Sequence, residues 1–163
     1  MDISSGGSFP SNKLSNFAVH PFVFRGVECA GMEGLLQSFK FENPEIQKEV
    51  CKLVGKAAKF RGKKKNWYRT QTLYWDGVKY HRDSDGYQRL LDSAYLSMFL
   101  QNEGFRNALR ASGNAVFCHS MGKRKTNETV LTTSEFCGRL HKLRDLLDKE
   151  NDCWAIAAAF GQL

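Results

Sequence analysis

The chain has 163 residues, 42% hydrophobic and 25% charged, which is ordinary for one globular domain with a substantial core. No apolar run approaches the roughly 18 to 20 residues of a membrane span, and the five scattered cysteines without a Cys-x-x-Cys pair argue against a disulfide framework or a structural zinc site. The net charge of +7 favours an anionic partner, such as a nucleotide or a nucleic acid. We therefore expect a soluble, cytoplasmic protein with reduced thiols and no signal peptide.

The N-terminal third begins with a Gly/Ser-rich stretch. Residues 1–13 predict a flexible lead-in, and we expect a single domain over 14–163. Apolar residues at 22–24 followed by Arg25 and Gly26 predict a short hairpin.

A helix of about three turns is predicted from Gly31 onward. Its core-facing stripe consists of Met32, Leu35, Leu36 and Phe39. Glu33, Gln37 and Lys40 form a second stripe at i, i+4 and i+7, and the remaining face carries only Gly31, Gly34 and Ser38. Small residues allow another backbone or a ligand to approach, so the polar stripe resembles the wall of a cleft. The alternative is that Glu33 only favours the helix dipole while Lys40 is solvated.

A basic segment follows a second predicted helix over 44–54, which begins after Asn43 at Pro44. Between residues 56 and 69 the cations are Lys56, Lys59, Arg61, Lys63, Lys64, Lys65 and Arg69, with Trp67 and Tyr68 among them. Such a run is suited to phosphates and stacked bases, although a solvated helix face has the same composition.

The second half is mainly helical. Residues 72–80 predict a hairpin with its turn at 76–77. A long helix then starts at Asp83 or Ser84, with these inward positions: Tyr87, Leu90, Leu91, Ala94, Tyr95, Met98 and Phe99.

The remaining elements complete the expected domain. A helix over 103–111 and a short buried strand at 115–118 precede a polar, basic loop that could hold a phosphate. Thr132 and Glu135 form a capping box for a helix to about Lys149, and the apolar tail after residue 152 is expected to pack on the domain. The fold class is therefore α+β, a single mostly helical domain with short β-hairpins.

Several types of chemistry lack support in the sequence. The four histidines are isolated, so no metal site is expected, and no cofactor is expected either. The chain also lacks a dinucleotide-binding glycine fingerprint, a nucleophile elbow and a lysine-bearing P-loop. By elimination, any chemistry rests on carboxylates surrounded by amides, aromatics and cations.

The order of motifs over residues 14–41 resembles the NADAR (YbiA-like) family. These motifs are Leu-Ser-Asn-Phe-Ala at 14–18, the Phe-rich hairpin, and Met-Glu-Gly-Leu-Leu-Gln-Ser-Phe-Lys-Phe at 32–41. A looser similarity extends through 57–62 and the long helix to Leu-His-Lys-Leu-Arg-Asp-Leu-Leu at 140–147.

The resemblance implies a YbiA-like fold and cleavage of a ribosyl N-glycosidic bond, in an ADP-ribosyl or ribosyl-phosphate conjugate. One such substrate is ADP-ribose on a nucleobase, so the implied partners include nucleic acid carrying ADP-ribose, but no membrane. Glu33 would be the catalytic carboxylate. The implied substrate-binding residues are Ser15, Asn16, Phe17, Gln37, Lys40, Lys59, Arg61 and either Trp67 or Trp75.

The sequence also departs from the family pattern. The family's His after the Glu is Gly34, the preceding Ser is Met32, and the later Asp-x-x-Trp-Gly-x-Gly loop is absent. Glycoside cleavage commonly uses two acidic groups, so loss of a carboxylate leaves two alternatives. The leading hypothesis remains an N-glycoside hydrolase in which Glu33 directs water, and the alternatives are a non-catalytic binder of an ADP-ribose or NAD-type nucleotide, or a basic nucleic-acid-binding module built on residues 56–69.

Overall fold

A computed structural model describes residues 1–149 and 153–160. The helices are α1 (Ser11–Leu14), α2 (Met32–Ser38), α3 (Pro44–Cys51), α4 (Gly55–Lys63), α5 (Asp85–Gln101), α6 (Glu103–Ala111), α7 (Thr133–Asp145) and α8 (Cys153–Ala159). Short 3₁₀ helices lie at Trp67–Arg69, Thr126–Glu128 and Leu147–Lys149. The expected mostly helical α+β fold is confirmed.

Two antiparallel hairpins supply the strands, β1 (Phe22–Phe24) with β2 (Val27–Cys29) and β3 (Thr72–Trp75) with β4 (Val78–His81). Phe24 pairs with Val27 in the first hairpin, and Trp75 pairs with Val78 in the second. Each connecting turn has two residues of positive φ ending in glycine, Arg25–Gly26 and Asp76–Gly77, as a tight hairpin turn requires. Both predicted hairpins are therefore confirmed.

The core is organised around α5. All seven apolar positions predicted for this helix are buried, and α5 packs against β1, α2, α6 and α7. Its N-cap is Ser84, whose hydroxyl accepts a hydrogen bond from the Tyr87 N–H at 3.1 Å. The predicted capping box of α7 is also present, although this helix ends at Asp145 rather than near Lys149.

Other boundaries differ from expectation. The predicted helix over 44–54 ends at Cys51, and a separate helix, α4, carries much of the basic segment. The short buried strand predicted at residues 115–118 does not form, and Cys118 makes an isolated β-bridge with Asp2 instead.

The N-terminal segment, expected as a flexible lead-in, contacts the rest of the chain. Ile3 is 1% exposed and donates its N–H to the Cys118 carbonyl at 2.9 Å. At the other end, the apolar tail packs on the domain through buried Ile156 and Phe160. No helix among the described residues is long and apolar enough to cross a membrane.

Candidate functional site

The site is built around Glu33, in the first turn of α2. Its side chain is buried, with the residue 8% exposed, and its Oε1 accepts a hydrogen bond from Gln37 Nε2 at 2.9 Å. The Glu33 backbone N–H donates to the Asn16 carbonyl at 3.1 Å. A carboxylate held this deeply is not the solvated residue that a simple helix-dipole role predicts.

Burial raises the pKa of the Glu33 carboxyl above its ordinary value of 4.5. The Gln37 hydrogen bond and the positive charges of Lys59, Lys40 and His119 act in the opposite direction, each lowering the pKa. The environment therefore favours a carboxyl that titrates closer to neutral pH than an exposed glutamate.

Lys40 shares this environment. Burial lowers its pKa to about 8, the neighbouring positive charges of Lys123 and Lys59 lower it too, and the Glu33 carboxylate raises it. The side chains of the predicted Glu33–Gln37–Lys40 stripe therefore interact electrostatically. Lys59 of α4 and Lys123 of the loop after residue 118 add positive charge nearby.

The bare face of α2 is a packing interface rather than a cleft wall. A Cβ at Gly34 would lie 2.4 Å from the Leu53 carbonyl oxygen and 2.9 Å from that of Val50. A Cβ at Gly31 would lie 2.7 Å from the Ala18 carbonyl oxygen. The close approach of another backbone leaves no room for a side chain at Gly34.

The Ser-Asn-Phe motif, residues 15–17, contacts the helices around the site. Ser15 Oγ accepts a hydrogen bond from the Phe17 N–H at 3.2 Å, and Asn16 Oδ1 accepts one from the Tyr95 hydroxyl at 2.7 Å. The Phe17 ring lies 5.9 Å from Lys59 Nζ. In this structure the motif fixes the loop to α2 and α5 and positions a lysine.

A cleft of about 350 Å³ adjoins this unit, and Lys40 forms part of its wall. The other lining residues are Glu42, Lys64, Lys65, Asn66, Trp67, Thr70, Thr72 and Tyr74. Glu33 and Gln37 are not part of this lining, so Lys40 is the one member of the predicted polar stripe that lies in the cleft wall.

The two candidate tryptophans are in different places. Trp67 lines the cleft, whereas Trp75 lies in the core, with its ring 5.1 Å from Phe24 and 5.9 Å from Phe39. The geometry favours Trp67 as the tryptophan near a ligand. Arg61 lies over the ring of Phe41 at 4.6 Å.

Sequence reasoning did not identify His119 and Lys123 as members of the site. Both lie in the polar, basic loop after residue 118, about 85 residues beyond Glu33, yet their charges act on Glu33 and Lys40 respectively. The composition of that loop was a signal for phosphate binding, but nothing in the sequence joined it to α2.

Chemically, this arrangement offers one buried carboxylate among cations. Such a carboxylate can accept a proton from water and stabilise a developing positive charge, while the cations bind an anionic group.

Comparisons with known proteins agree with the fold. The sequence model of the family described as "Bacteriophage protein GP30.3" matches residues 8–145. An uncharacterized 17.1 kDa protein in the Gp30-rIII intergenic region of Enterobacteria phage T4 is 41% identical over 151 residues, covering 90% of this chain and 98% of that protein.

The NMR structure of the E. coli protein YbiA superposes with a TM-score of 0.59 at 17% identity, covering 91% of this chain and 83% of that one. The resemblance to the NADAR (YbiA-like) family is therefore confirmed at the level of the fold. The chain belongs to the bacteriophage protein GP30.3 family and has a fold similar to that of YbiA.

Proposed function

We propose that this chain is an N-glycoside hydrolase that cleaves a ribosyl N-glycosidic bond in an ADP-ribosyl or ribosyl-phosphate conjugate. The observation that carries the proposal is the position of Glu33, a buried carboxylate with a raised pKa, hydrogen-bonded to Gln37 and facing cations. Buried, perturbed carboxylates beside specific charged partners are typical of catalytic sites.

In the proposed reaction, the bond between C1′ of the ribose and the base nitrogen breaks, and its electron pair leaves with the base. Glu33 stabilises the positive charge that develops at C1′ and removes a proton from the attacking water. The water oxygen becomes the new C1′ hydroxyl. A raised pKa suits this role, because a carboxylate with a higher pKa is the stronger base.

The cations suit the anionic part of the substrate. Lys40 lies at the junction of Glu33 and the cleft, and Lys64 and Lys65 line the cleft as well. A phosphate or diphosphate in the cleft would place the attached ribose toward Lys40 and Glu33.

A second candidate function is non-catalytic binding of the same kind of nucleotide. The favouring observation is that the side chains acting on Glu33 in the described structure are Gln37 and cations, with no second carboxylate among them. Two acidic groups are the common arrangement for glycoside cleavage, so the lack of a second carboxylate acting on Glu33 favours sequestration.

A third candidate, nucleic-acid binding, is favoured by exposed aromatics in the basic segment. Phe60 is 61% exposed and Tyr68 is 52% exposed, among lysines of α4 and the turn after it. Exposed rings beside cations suit stacked bases and phosphates. This surface and the hydrolytic site would serve one function if the ADP-ribosyl group is carried on nucleic acid.

The test combines calorimetry with chromatography of the ligand. The full chain is titrated with ADP-ribose, NAD, ribose 5-phosphate and an ADP-ribosylated oligonucleotide, and each mixture is then analysed for free base. We expect binding of an ADP-ribosyl or ribosyl-phosphate compound and release of the base from its conjugate. Binding with every conjugate recovered intact would establish the binder instead.

Oligonucleotides without ADP-ribose test the third candidate. Affinity that falls steeply with salt supports a phosphate-tracking surface, and undetectable or salt-insensitive binding rejects it.

A further inference from the structure

The net positive charge of the chain is concentrated in one segment. Residues 50–75 contain eight of the 24 lysines and arginines and none of the 17 aspartates and glutamates. The rest of the chain, with 16 cations and 17 anions, is close to neutral. The formal charge of +7 therefore belongs to α4, the 3₁₀ helix after it and their flanking residues, so an anionic macromolecule would be attracted to this face.

In the described part of the chain this charge is not neutralised by carboxylates. We call the seven cations between residues 56 and 69, together with Phe60 and Tyr68, the basic surface. Within residues 1–149 and 153–160, no ion pair involves any of these cations. Lys56 lies in the first turn of α4, where a positive charge opposes the helix dipole, and Lys59 and Lys63 repel each other four residues apart. A bound polyanion would relieve both unfavourable interactions.

Two exposed rings make the basic surface suited to nucleic acid in particular. Phe60 is 61% exposed although Lys64 Nζ lies 4.7 Å from its ring centroid, and Tyr68 is 52% exposed with its hydroxyl donating to Asn66 Oδ1 at 3.2 Å. A ring beside a cation accepts a stacked base while the cation contacts the phosphate. In a duplex the base faces are already stacked on one another, so these rings select unpaired bases.

The basic surface borders the cleft. Lys64 and Lys65 belong to both, and the cleft lining also contains Lys40 and, as its acidic member, Glu42. Because the Glu42 carboxylate repels phosphates, the backbone of a bound strand belongs on the outer face of α4. A ribosyl group attached to that strand would then lie toward Lys40.

The loop after residue 118 continues the positive charge. Gln71 Nε2 donates to the Tyr68 carbonyl at 2.8 Å and to the Asn127 carbonyl at 3.1 Å, which places this loop against the 3₁₀ helix of the basic surface. Residues 123–125 of the loop are three exposed cations. A strand that leaves α4 past Tyr68 therefore meets further positive charge.

We infer that the basic surface binds single-stranded nucleic acid, with phosphates on its lysines and arginines and unpaired bases stacked on Phe60 and Tyr68. The inference deepens the third candidate function. It rests on the proposed function in one respect, because it makes the bound strand the carrier of the ribosyl group on which the site acts.

Fluorescence anisotropy of the full chain with labelled, unmodified oligonucleotides of about ten nucleotides measures this binding. The probes are a single-stranded DNA, an RNA of the same sequence and the DNA duplex, with inorganic polyphosphate as a polyanion that has no bases. Phe60→Ala and Tyr68→Ala remove one ring each, and Phe9→Ala is the matched control because Phe9 is a 57% exposed ring outside the surface. Lys63→Gln removes one charge, with Lys13→Gln, at another exposed lysine, as its control.

We expect the single strand to bind more tightly than the duplex or polyphosphate. Loss of either ring should weaken this binding about fivefold or more, the usual contribution of a stacked base, without changing its salt dependence. Lys63→Gln should instead reduce the slope of log affinity against log salt by about 0.7. Both controls should match wild type. A preference for DNA or for RNA identifies the carrier, and either preference supports the inference.

Duplex or polyphosphate binding as tight as that of the single strand overturns the inference, and so does wild-type affinity in both ring variants. Preference for vesicles of anionic phospholipid over the oligonucleotides overturns it too. These measurements need no base release, so they are independent of the proposed hydrolysis. A chain that binds the single strand but releases base from no conjugate rejects the hydrolase and supports this inference, whereas hydrolysis of a free nucleotide conjugate without binding of the single strand does the reverse.

Discussion

Gly62→Ala in α4 places a methyl group where the side-chain amide of Gln37 lies. The added Cβ would be 1.9 Å from Gln37 Oε1 and 2.8 Å from its Cδ, whereas ordinary contacts begin at 3.4 Å. The amide must therefore retreat by about 1.5 Å, the difference between 3.4 and 1.9 Å. A shift of that size breaks the 2.9 Å hydrogen bond from Gln37 to Glu33.

Two terms set the change in the free energy of unfolding. A hydrogen bond to a charged group contributes about 1.5 to 3 kcal/mol, and replacing glycine by alanine within a helix returns about 0.5 to 1 kcal/mol. We expect a net destabilisation between about 0.5 and 2.5 kcal/mol, the difference between these two terms. Loss of the Gln37 donor also raises the pKa of Glu33, so the acid limb of any base release moves to higher pH.

Urea denaturation of the full chain measures this change. The matched control is Gly138→Ala in α7, where a Cβ meets nothing within 4 Å; there we expect stabilisation by about 0.5 to 1 kcal/mol. In a Gln37→Ala background the Gly62 substitution should lose its cost, because the obstructing amide is gone. Equal effects of the two glycine substitutions, or an undiminished cost in that background, would refute the reasoning.

Further predictions concern Lys40 and Gly34. Lys40 loses its charge as pH rises through about 8, so affinity for an ADP-ribosyl or phosphate ligand should fall above that pH, and Lys40→Arg should remove the fall; calorimetry at pH 7 and pH 9 tests this, and a pH-independent wild-type affinity would contradict it. Gly34→Ala forces a Cβ to within 2.4 Å of the Leu53 carbonyl, so we expect a loss of about 3 kcal/mol in urea denaturation. Gly34→His, whose side chain is larger, should be worse still; wild-type stability in either variant would contradict this steric argument.

Much of the fold was predictable from local patterns. The α5 stripe, the capping box of Thr132 and Glu135 and the turn at 76–77 depend on spacing within a few residues, and each is confirmed. Helix α4 escaped prediction because its sequence, Gly-Lys-Ala-Ala-Lys-Phe-Arg-Gly-Lys, has little apolar periodicity. What places this helix is contact with α2, where Gly62 lies against Gln37.

The candidate site was predictable only in part, because local patterns do not report contacts between residues that are distant in the sequence. Glu33, Gln37 and Lys40 belong to one helix and the turn after it, so their proximity follows from the 3.6-residue period. His119, whose charge acts on Glu33, is held by Ile3 and Phe136, and these contacts span sequence separations that a local pattern cannot show. The small residues on one face of α2 indicated that either another backbone or a ligand approaches this helix. The structure shows that the backbone of residues 50–53 packs against Gly34 there.

The most direct measurement is base release by Glu33→Gln beside wild type and the exposed control Glu28→Gln. The account predicts that Glu33→Gln binds an ADP-ribosyl conjugate with about wild-type affinity and releases base at least about 100-fold more slowly, because the amide cannot accept a proton from water. Its free energy of unfolding at neutral pH should rise, since a group whose pKa is raised by burial costs stability once it ionises. Glu28→Gln should match wild type. Undiminished base release by Glu33→Gln would contradict the account.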